Sequence, residues 1–219
     1  MSVLSIGNSW QLGTQVLSLM HAFRHEVFVK RLKWSLPLID GEERDEYDTA
    51  DAKYVVVREG LDRVTACARL LPTTTAYMLP DLFPQLLGGA AAPRDPAIWE
   101  LSRFATSVRE TREGRVLAFS KPTLEFLDLI LDFARRHDIT RLLFVTSIQI
   151  ERLMLRSRLP VHRIAPPALV DGRPTVALSI ETAAEQSTVP LATRALDDRK
   201  LADLGDALVL VLPCASDAE

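Results

Sequence analysis

Cysteine, excess basic charge and long apolar runs are all scarce in this chain of 219 residues. Its two cysteines, Cys67 in an apolar segment and Cys214 near the end, have no histidine at ligand spacing, so neither a disulfide framework nor a zinc site is predicted. The 26 basic and 29 acidic side chains give a net charge of −3. That balance argues against nucleic acid as a partner, because binding phosphates requires a basic surface.

Apolar composition and its distribution set the expected class of protein. No apolar run approaches the ~18 residues that span a membrane, and the first residues lack the basic and apolar regions of a secretory signal. We therefore expect a cytoplasmic protein. Apolar residues make up 47% of the chain without repeats or low-complexity segments, which predicts one domain over residues 1–219. The oligomeric state is not indicated.

Alternating strand and helix patterns predict an α/β fold built on one mixed sheet. The predicted helices are about Gln11–Lys33 as one long or two short helices, a short stretch near Pro80–Leu87, a helix that Ser120 caps and that runs to about His137, and Ile148–Arg158. The predicted strands are Val3–Ile6, Lys53–Arg58, Val64–Leu71, Ile98–Ala105, Leu142–Ser147, Val161–Ile164 and Thr175–Ile180. The acidic segment 37–52 is interpreted as a loop. The last 35 or so residues carry the weakest patterns, a helix near Thr193–Leu204 and a strand at Ala207–Leu212.

Several ionisable residues occupy positions where folding alone would favour apolar ones. They are Arg24 in an amphipathic helix, Asp45 and Asp48 in the acidic loop, Arg69 in one apolar strand, and Glu100 and Arg103 in another. Charges are costly to bury unless they are paired, so these residues indicate an organised ionic cluster. Regular alternation places Glu100 and Arg103 on opposite faces of their strand. A salt-bridge network that only fixes register and a functional site both remain open at this point.

Nine residues have a spacing that resembles the LuxI-type autoinducer synthase family. They are Arg24, Phe28, Trp34, Asp45, Asp48, Arg69 in CARLLPTT, Phe83 in DLFPQLL, and Glu100 and Arg103 in WELSRFA. All nine match the residues that mark the family, in order and at fitting separations, over residues 24–103. A single match would be weak, whereas nine together are specific.

The resemblance implies a fold and an activity. The fold is a three-layer α/β/α arrangement with a central mixed sheet, like that of N-acetyltransferases. The activity is that of an acyl-homoserine-lactone synthase, which takes an acyl group from acyl-acyl-carrier-protein and joins it to S-adenosylmethionine. Closure of the product into a lactone releases methylthioadenosine, and the product serves quorum sensing. S-adenosylmethionine is then a substrate, so no cofactor and no metal are expected.

Roles for the marker residues follow from the resemblance and from side-chain chemistry. Glu100 and Arg103 are the catalytic candidates, with Glu100 as a general base that acts through a water; the alternative is that Glu100 only holds Arg69 or Arg103 in place. The expected S-adenosylmethionine site comprises Arg24, Phe28, Trp34, Asp45, Asp48, Arg69 and Phe83. Guanidinium groups suit the substrate carboxylate, and aromatic faces suit its sulfonium.

The acyl chain and the carrier protein require further surfaces. An apolar pocket is expected between the sheet and the later helices, and its candidate lining residues, all equally compatible with ordinary core, are Met78, Leu101, Phe144, Thr146, Ile148 and Met154. The resemblance places Thr146 where members that favour 3-oxo acyl chains often carry threonine. Arg152 and Arg156, one helical turn apart, are the candidate docking site for the acidic carrier protein, with a solvated helix face as the alternative.

Two other functions share part of this pattern. An N-acyltransferase that uses acyl-coenzyme A usually has a glycine-rich loop before a helix to bind the pyrophosphate, and the comparable segment 107–120 contains only Gly114. A regulatory domain that binds acyl-homoserine lactone would share the apolar pocket. It would give no reason for Glu100 and Arg103, and it would require a basic helix-turn-helix.

Overall fold

The computed structural model describes residues 2–107 and 119–182. The strands in these ranges are β1 (Ser2–Gly7), β2 (Leu38–Ile39), β3 (Glu42–Glu43), β4 (Lys53–Glu59), β5 (Arg63–Pro72), β6 (Ile98–Thr106), β7 (Arg141–Ser147), β8 (Val161–Arg163), β9 (Ala168–Val170) and β10 (Arg173–Glu181). The helices are α1 (Ser9–Arg24), which continues as a π-helix over His25–Arg31, α2 (Met78–Leu82), a 3₁₀ helix over Pro84–Leu87, α3 (Lys121–Arg136) and α4 (Ile148–Arg156).

One mixed sheet forms the middle layer of the fold. Its strand order is β1-β4-β5-β6-β7-β10-β8, with β9 also paired to β10, and β2 and β3 form a separate hairpin. Only β6 and β7 pair in parallel among these strands. Buried residues of α3 and α4 pack on one face, and α1 and α2 pack on the other. The predicted three-layer fold with a central mixed sheet is confirmed.

The strong sequence patterns correspond closely to the observed elements. The Ser120 side chain accepts a hydrogen bond from the Thr123 N–H, and proline occupies the first turn of α3, as predicted. The interpretation of 37–52 as a plain loop is wrong, because β2 and β3 lie within it. Their turn, Asp40-Gly41, has positive φ at both residues (53° and 78°), which is the geometry that an Asp-Gly pair favours in a two-residue hairpin. The strand β9 was also missed, since three residues are too few to show an alternation.

A bulge in β6 overturns the predicted alternation of that strand. Arg69 pairs with Ser102 and Cys67 pairs with Ala105, so two residues of β6 lie opposite the single residue between them on β5. Arg103 occupies the bulge with a φ of +50°, a left-handed conformation that costs a non-glycine residue about 1 kcal/mol or more. The extra residue turns Arg103 onto the face that Glu100 already occupies. The two charged side chains therefore lie on one side of the sheet.

The parallel ladder between β6 and β7 is short. It joins Ile98 to Arg141, Trp99 to Leu142 and Glu100 to Leu143, and it ends there although both strands continue. Beyond Glu100 the two strands no longer pair with each other, and each keeps a ladder only with its outer neighbour, β5 or β10. We call this interruption of the pairing beside Glu100 the gap between β6 and β7.

Some predictions fall partly or wholly beyond this part of the chain. The helix near Thr193–Leu204 and the strand at Ala207–Leu212 lie outside the described residues, and a single domain over residues 1–219 stays a prediction. Within the described ranges, no helix combines the length and apolar character required to cross a membrane.

Candidate active site

Three arginines and three carboxylates form a buried ionic cluster on the α1 face of the sheet. Its members are Arg24 from α1, Glu43 from β3, Asp45 and Asp48 from the segment that follows, Arg69 from β5 and Arg103 from β6. No side chain among them is more than 5% exposed. Three positive and three negative charges balance, which is the condition under which a group of buried ions is tolerated.

Arg24 has all three side-chain nitrogens engaged. Its Nε donates to Glu43, and Nη1 and Nη2 donate to the two oxygens of Asp48 at 2.8 and 3.0 Å. The two-pronged contact with Asp48 uses the planar geometry of the guanidinium, which a lysine lacks. Tyr54 adds a hydroxyl donor to Asp48 at 3.0 Å.

Arg69 is engaged just as fully. Nη1 and Nη2 donate to Asp45, with Nη2 3.1 Å from Oδ2, and Nε donates to the Ser102 hydroxyl at 3.0 Å. Its Nη2 also contacts the Met78 sulfur at 3.3 Å, and the guanidinium lies 5.8 Å from the centre of the Tyr47 ring. Asp45 is therefore fixed from the sheet, while Asp48 is fixed from both the sheet and α1.

Arg103 differs from the other two arginines in having a free edge. Its Nε donates to Glu43 at 3.1 Å and its Nη2 donates to Asp45 at 2.7 Å. Nη1 is buried and has no hydrogen-bond partner among the described residues. A buried guanidinium nitrogen without an acceptor is costly, so the position suits a ligand that brings an acceptor oxygen.

The ionic cluster holds its carboxylates in the charged form. Burial alone would raise the pKa of Asp48, but Arg24 and Arg69 outweigh it and hold that pKa well below its usual range. Burial likewise opposes the attraction of Arg24 and Arg103 at Glu43, and the net pKa of Glu43 is lowered. The arginines gain correspondingly, since the pKa of Arg24 lies well above its ordinary value despite complete burial.

Glu100 lies beside the ionic cluster but is held by backbone. Its two oxygens accept the N–H groups of Met78 and Leu79, both at 2.8 Å, at the start of α2. Burial raises the pKa of Glu100 to about 7, against the opposing effect of these N–H donors and of Arg69. Among the described residues Glu100 forms no direct ion pair with Arg69 or Arg103, and its roles as a base or as a holder of these arginines both stay predictions. It anchors α2 and is poised to gain or lose a proton near neutral pH.

The marker aromatics line the same face. Phe28 stacks on Trp34 with ring centres 5.1 Å apart, and the Arg103 guanidinium lies 5.7 Å from the centre of the Phe28 ring. Phe28 and Phe83 are fully buried, and Trp34 is 9% exposed. The structure thus brings all nine marker residues to one face of the sheet, around α1, α2 and the acidic segment.

The candidate acyl residues divide between the two faces. Leu101, Phe144 and Met154 belong to the core beneath α3 and α4, and alternation along β7 places Thr146 beside Phe144. Ile148 is half-buried at the first position of α4. The predicted placement of Met78 between the sheet and the later helices is wrong. It packs on the α1 face, because it opens α2 there and its sulfur meets Arg69.

The carrier-protein candidates lie on the outer side of α4. Arg152 and Arg156 are exposed, one turn apart as expected. Leu155 is 53% exposed next to them, whereas Glu151 on the inner side is occupied by Arg163. The result is a small surface with an apolar centre and two cations.

Sequence reasoning missed Glu43, although it is as buried as any member of the ionic cluster. A signal existed, since Glu43 and Asp45 are two residues apart, a spacing that directs strand side chains to one side. In the described part of the chain, no three acidic, histidine or cysteine side chains form a group arranged to hold a metal ion.

The fold itself defines a class. A solved structure described as an N-acetyltransferase from Lactobacillus plantarum is 16% identical and shares the fold, with a TM-score of 0.56 over 83% of this chain and 98% of that one. At this identity the likeness shows the fold alone, so the class is one of fold and not of activity.

Sequence comparisons identify the family as well as the fold. The family model for autoinducer synthases matches residues 10–189. An acyl-homoserine-lactone synthase of Pseudomonas aeruginosa is 37% identical over 82% of this chain and 89% of its own length, and one of Aliivibrio fischeri is 43% identical over 65% and 73%. The chain therefore belongs to the autoinducer synthase family and is an acyl-homoserine-lactone synthase, an acyltransferase.

Solved structures agree with this assignment. The AHL synthase LasI is 36% identical, with a TM-score of 0.72 over 84% of this chain and 91% of LasI. TofI, solved with an inhibitor and MTA, is 34% identical, with a TM-score of 0.69 over 89% and 97%. BjaI, a CoA-dependent synthase solved with SAM and isopentyl-CoA, is 24% identical with a TM-score of 0.72 over 89% and 99%, which shows a common fold.

Proposed function

We propose that this synthase makes N-acyl homoserine lactone from S-adenosylmethionine and an acyl thioester of acyl-carrier-protein. The observation that carries the proposal is the state of the Arg103 guanidinium. Glu43 and Asp45 fix Nε and Nη2, while the buried Nη1 has no partner among the described residues. Arg103 belongs to the part of β6 that no longer pairs with β7. TofI was solved with MTA, which is methylthioadenosine. Methylthioadenosine is the part of S-adenosylmethionine that remains once the aminobutyryl group has left, so its presence in TofI supports S-adenosylmethionine as a substrate of this chain.

The substrate carboxylate is assigned to Arg103. All nitrogens of Arg24 and Arg69 already donate to acceptors, so binding a carboxylate there would displace an existing contact. At Arg103 the carboxylate accepts from Nη1, a buried donor without a partner among the described residues, and displaces no existing contact. Arg24 and Arg69 then act by holding the acidic segment that orients Arg103.

The sulfonium is assigned to the aromatic pair. Asp45 and Asp48 are committed to arginines, so they do not offer a free carboxylate to a second cation. Trp34 is 9% exposed and stacks on Phe28, and a cation over an aromatic face gains about 0.5–2 kcal/mol without requiring a counter-ion.

Acylation needs a neutral amine and a proton acceptor. A free α-amino group titrates near pH ~8, and the sulfonium lowers that value, so a weak base is sufficient. Glu100, with its pKa raised to about 7, takes the proton through a water, since each of its oxygens has a lone pair left after accepting one N–H. The amine nitrogen bonds to the thioester carbon, the carbon–sulfur bond breaks, and the thiolate leaves and receives the proton that Glu100 took from the amine.

The thioester approaches through the gap between β6 and β7. Strand groups beyond Glu100 and Leu143 have no partner across it, so the amide-bearing arm of a carrier protein can pair with them and a backbone N–H can bind the oxyanion. The acyl chain then extends toward Leu101, Phe144 and Met154 on the far side of the sheet.

Lactone closure requires little from the protein. A carboxylate oxygen attacks the carbon bonded to sulfur, the carbon–sulfur bond breaks, and methylthioadenosine leaves as a neutral thioether. Both groups belong to one folded substrate, so proximity supplies most of the acceleration.

Carrier protein is favoured over coenzyme A by the surface of α4. Arg152 and Arg156 are exposed around Leu155, which complements an acidic helix with an apolar side chain. The likeness to CoA-dependent BjaI makes acyl-coenzyme A the alternative donor. These substrates are cytoplasmic, and so is the expected location.

The test is turnover with a panel of donors. The protein is incubated with S-adenosylmethionine and acyl-carrier-proteins or acyl-coenzyme A thioesters of several lengths, and the lactone is identified by mass. A carrier-protein kcat/KM at least tenfold above that of coenzyme A is expected. Equal or higher values with coenzyme A would refute the choice of donor, and methylthioadenosine release without acylated product would contradict the proposed order of steps.

A further inference from the structure

A second polar group lies on α1 outside the ionic cluster. The Ser18 hydroxyl donates to Oε1 of Glu42 at 2.5 Å, and Nδ1 of His21 lies 3.3 Å from Oε2 of the same carboxylate. We call Ser18, His21 and Glu42 the hairpin clasp. None of the three belongs to the nine marker positions, and the mechanism above uses none of them.

The clasp joins the same two elements as the ionic cluster. Ser18, His21 and Arg24 follow each other at three-residue intervals on α1, which places them on one face of the helix. Glu42 and Glu43 are neighbours on β3, so α1 holds β3 at successive turns, through the clasp and then through the contact of Arg24 with Glu43. The first contact is partly exposed and the second is fully buried.

The hairpin needs such an attachment. A two-stranded hairpin is at best marginally stable by itself, and β2 and β3 contribute two residues each and do not join the main sheet. Leu38 and Ile39 are 46% and 49% exposed, so β2 adds little apolar burial. Side-chain contacts from β3 therefore determine where the hairpin lies.

The position of the hairpin determines the orientation of Arg103. Glu43 accepts from Nε of Arg103, and this contact fixes the edge opposite the unpartnered Nη1. A displacement of β3 would remove the acceptor of Nε and leave the guanidinium held by Nη2 and Asp45 alone, and a single contact of this kind lets the group turn, because Phe28 offers only a ring face and no acceptor.

His21 suits the clasp in its neutral form. Burial and the neighbouring Arg24 lower its pKa, so at neutral pH Nδ1–H donates to Glu42 without adding a positive charge beside the ionic cluster.

We propose that Glu42 is a positioning residue of the substrate site: it holds β3 on α1 through Ser18 and His21, so that Glu43 keeps Arg103 oriented toward the carboxylate of S-adenosylmethionine. The inference rests on the proposed function, since it assigns that carboxylate to Arg103.

The test compares Glu42→Ala, Glu42→Gln and Ser18→Ala with wild type. Affinity for S-adenosylmethionine is measured by calorimetry, and KM and kcat are measured for each substrate. Glu42→Ala is expected to raise Kd and KM for S-adenosylmethionine about tenfold, Ser18→Ala about threefold, while kcat at saturation and KM for the thioester change less than twofold. Glu42→Gln keeps an acceptor for Ser18 and is expected to stay within threefold of wild type.

Two controls separate the clasp from charge and from general loss of structure. Glu46→Ala removes one exposed negative charge nearby and is expected to leave all constants unchanged. On an Arg103→Lys background the fork that Glu43 orients is gone, so Glu42→Ala should add less than a further threefold loss.

The outcomes are distinguishable. Three results would overturn the inference and leave the proposed function standing. They are wild-type affinity of Glu42→Ala for S-adenosylmethionine, equal losses for both substrates, and a full tenfold loss from Glu42→Ala on the Arg103→Lys background. Failure of wild type to bind S-adenosylmethionine would instead overturn the proposed function.

Discussion

Neutralising Glu43 tests the charge balance of the ionic cluster most directly. Glu43 is fully buried and accepts from both Arg24 and Arg103, so Glu43→Gln leaves three buried guanidinium groups with two carboxylates. Removing one partner of a buried ion pair costs about 3–5 kcal/mol, and the glutamine carbonyl recovers part of one hydrogen bond. We expect a loss near the lower end, about 3 kcal/mol, which for a chain of this length lowers Tm by roughly 6–12 °C.

Urea unfolding at pH 7, followed by tryptophan fluorescence, measures this loss. Glu46→Gln is the matched control, because it neutralises an exposed carboxylate three residues away and should change stability by less than about 0.5 kcal/mol. Raising the salt concentration should not reduce the difference between the Glu43 variant and wild type, since buried pairs are poorly screened.

The stability difference between wild type and Glu43→Gln should also depend on pH, in a direction that the pKa of Glu43 determines. The folded-state pKa of Glu43 is lowered, so its contribution is fully present above its ordinary value of 4.5 and is lost as pH falls through the folded value. The difference between wild type and Glu43→Gln should therefore be constant from pH 7 to about 5 and shrink in acid. A loss below about 1 kcal/mol at pH 7, or one equal to that of Glu46→Gln, would refute the view that the cluster requires three carboxylates.

Three further predictions concern other parts of the molecule. Glu100→Gln should slow acylation far more than it weakens S-adenosylmethionine binding, and the rise of kcat through pH about 7 should disappear; equal losses in rate and affinity would make Glu100 purely structural. Arg152→Glu with Arg156→Glu should raise KM for acyl-carrier-protein at least tenfold and leave S-adenosylmethionine unaffected, and an unchanged carrier KM would remove α4 as the docking surface. Gly88→Ala should lower stability by about 1–3 kcal/mol more than Gly89→Ala, because both have positive φ but only at Gly88 would a Cβ come within 2.8 Å of Ala165; equal urea midpoints would contradict this.

The strong periodic patterns were enough to predict most of the fold. The cap of Ser120 on α3 and the apolar runs of β4, β5 and β7 are local signals, and the elements formed where those signals lay. The bulge at Arg103 could not be predicted, because it arises from pairing with β5, a strand about 35 residues earlier in the chain. Met78 was misplaced for a related reason, since which face α2 covers depends on Glu100 binding its first N–H groups.

Glu43 and Glu100 have different roles, and this difference connects the fold to the chemistry. Had Glu100 been the third counter-ion of the arginines, their attraction would have lowered its pKa, as it lowers that of Glu43, and a carboxylate of that kind is too weak a base to accept a proton from an amine near pH 7. Because Glu43 completes the charge balance, Glu100 is left with two backbone donors and complete burial, and its pKa rises to about 7. The hairpin that sequence reasoning interpreted as a loop therefore does two things at once. It supplies the carboxylate that orients Arg103, and by doing so it leaves Glu100 suited to proton transfer.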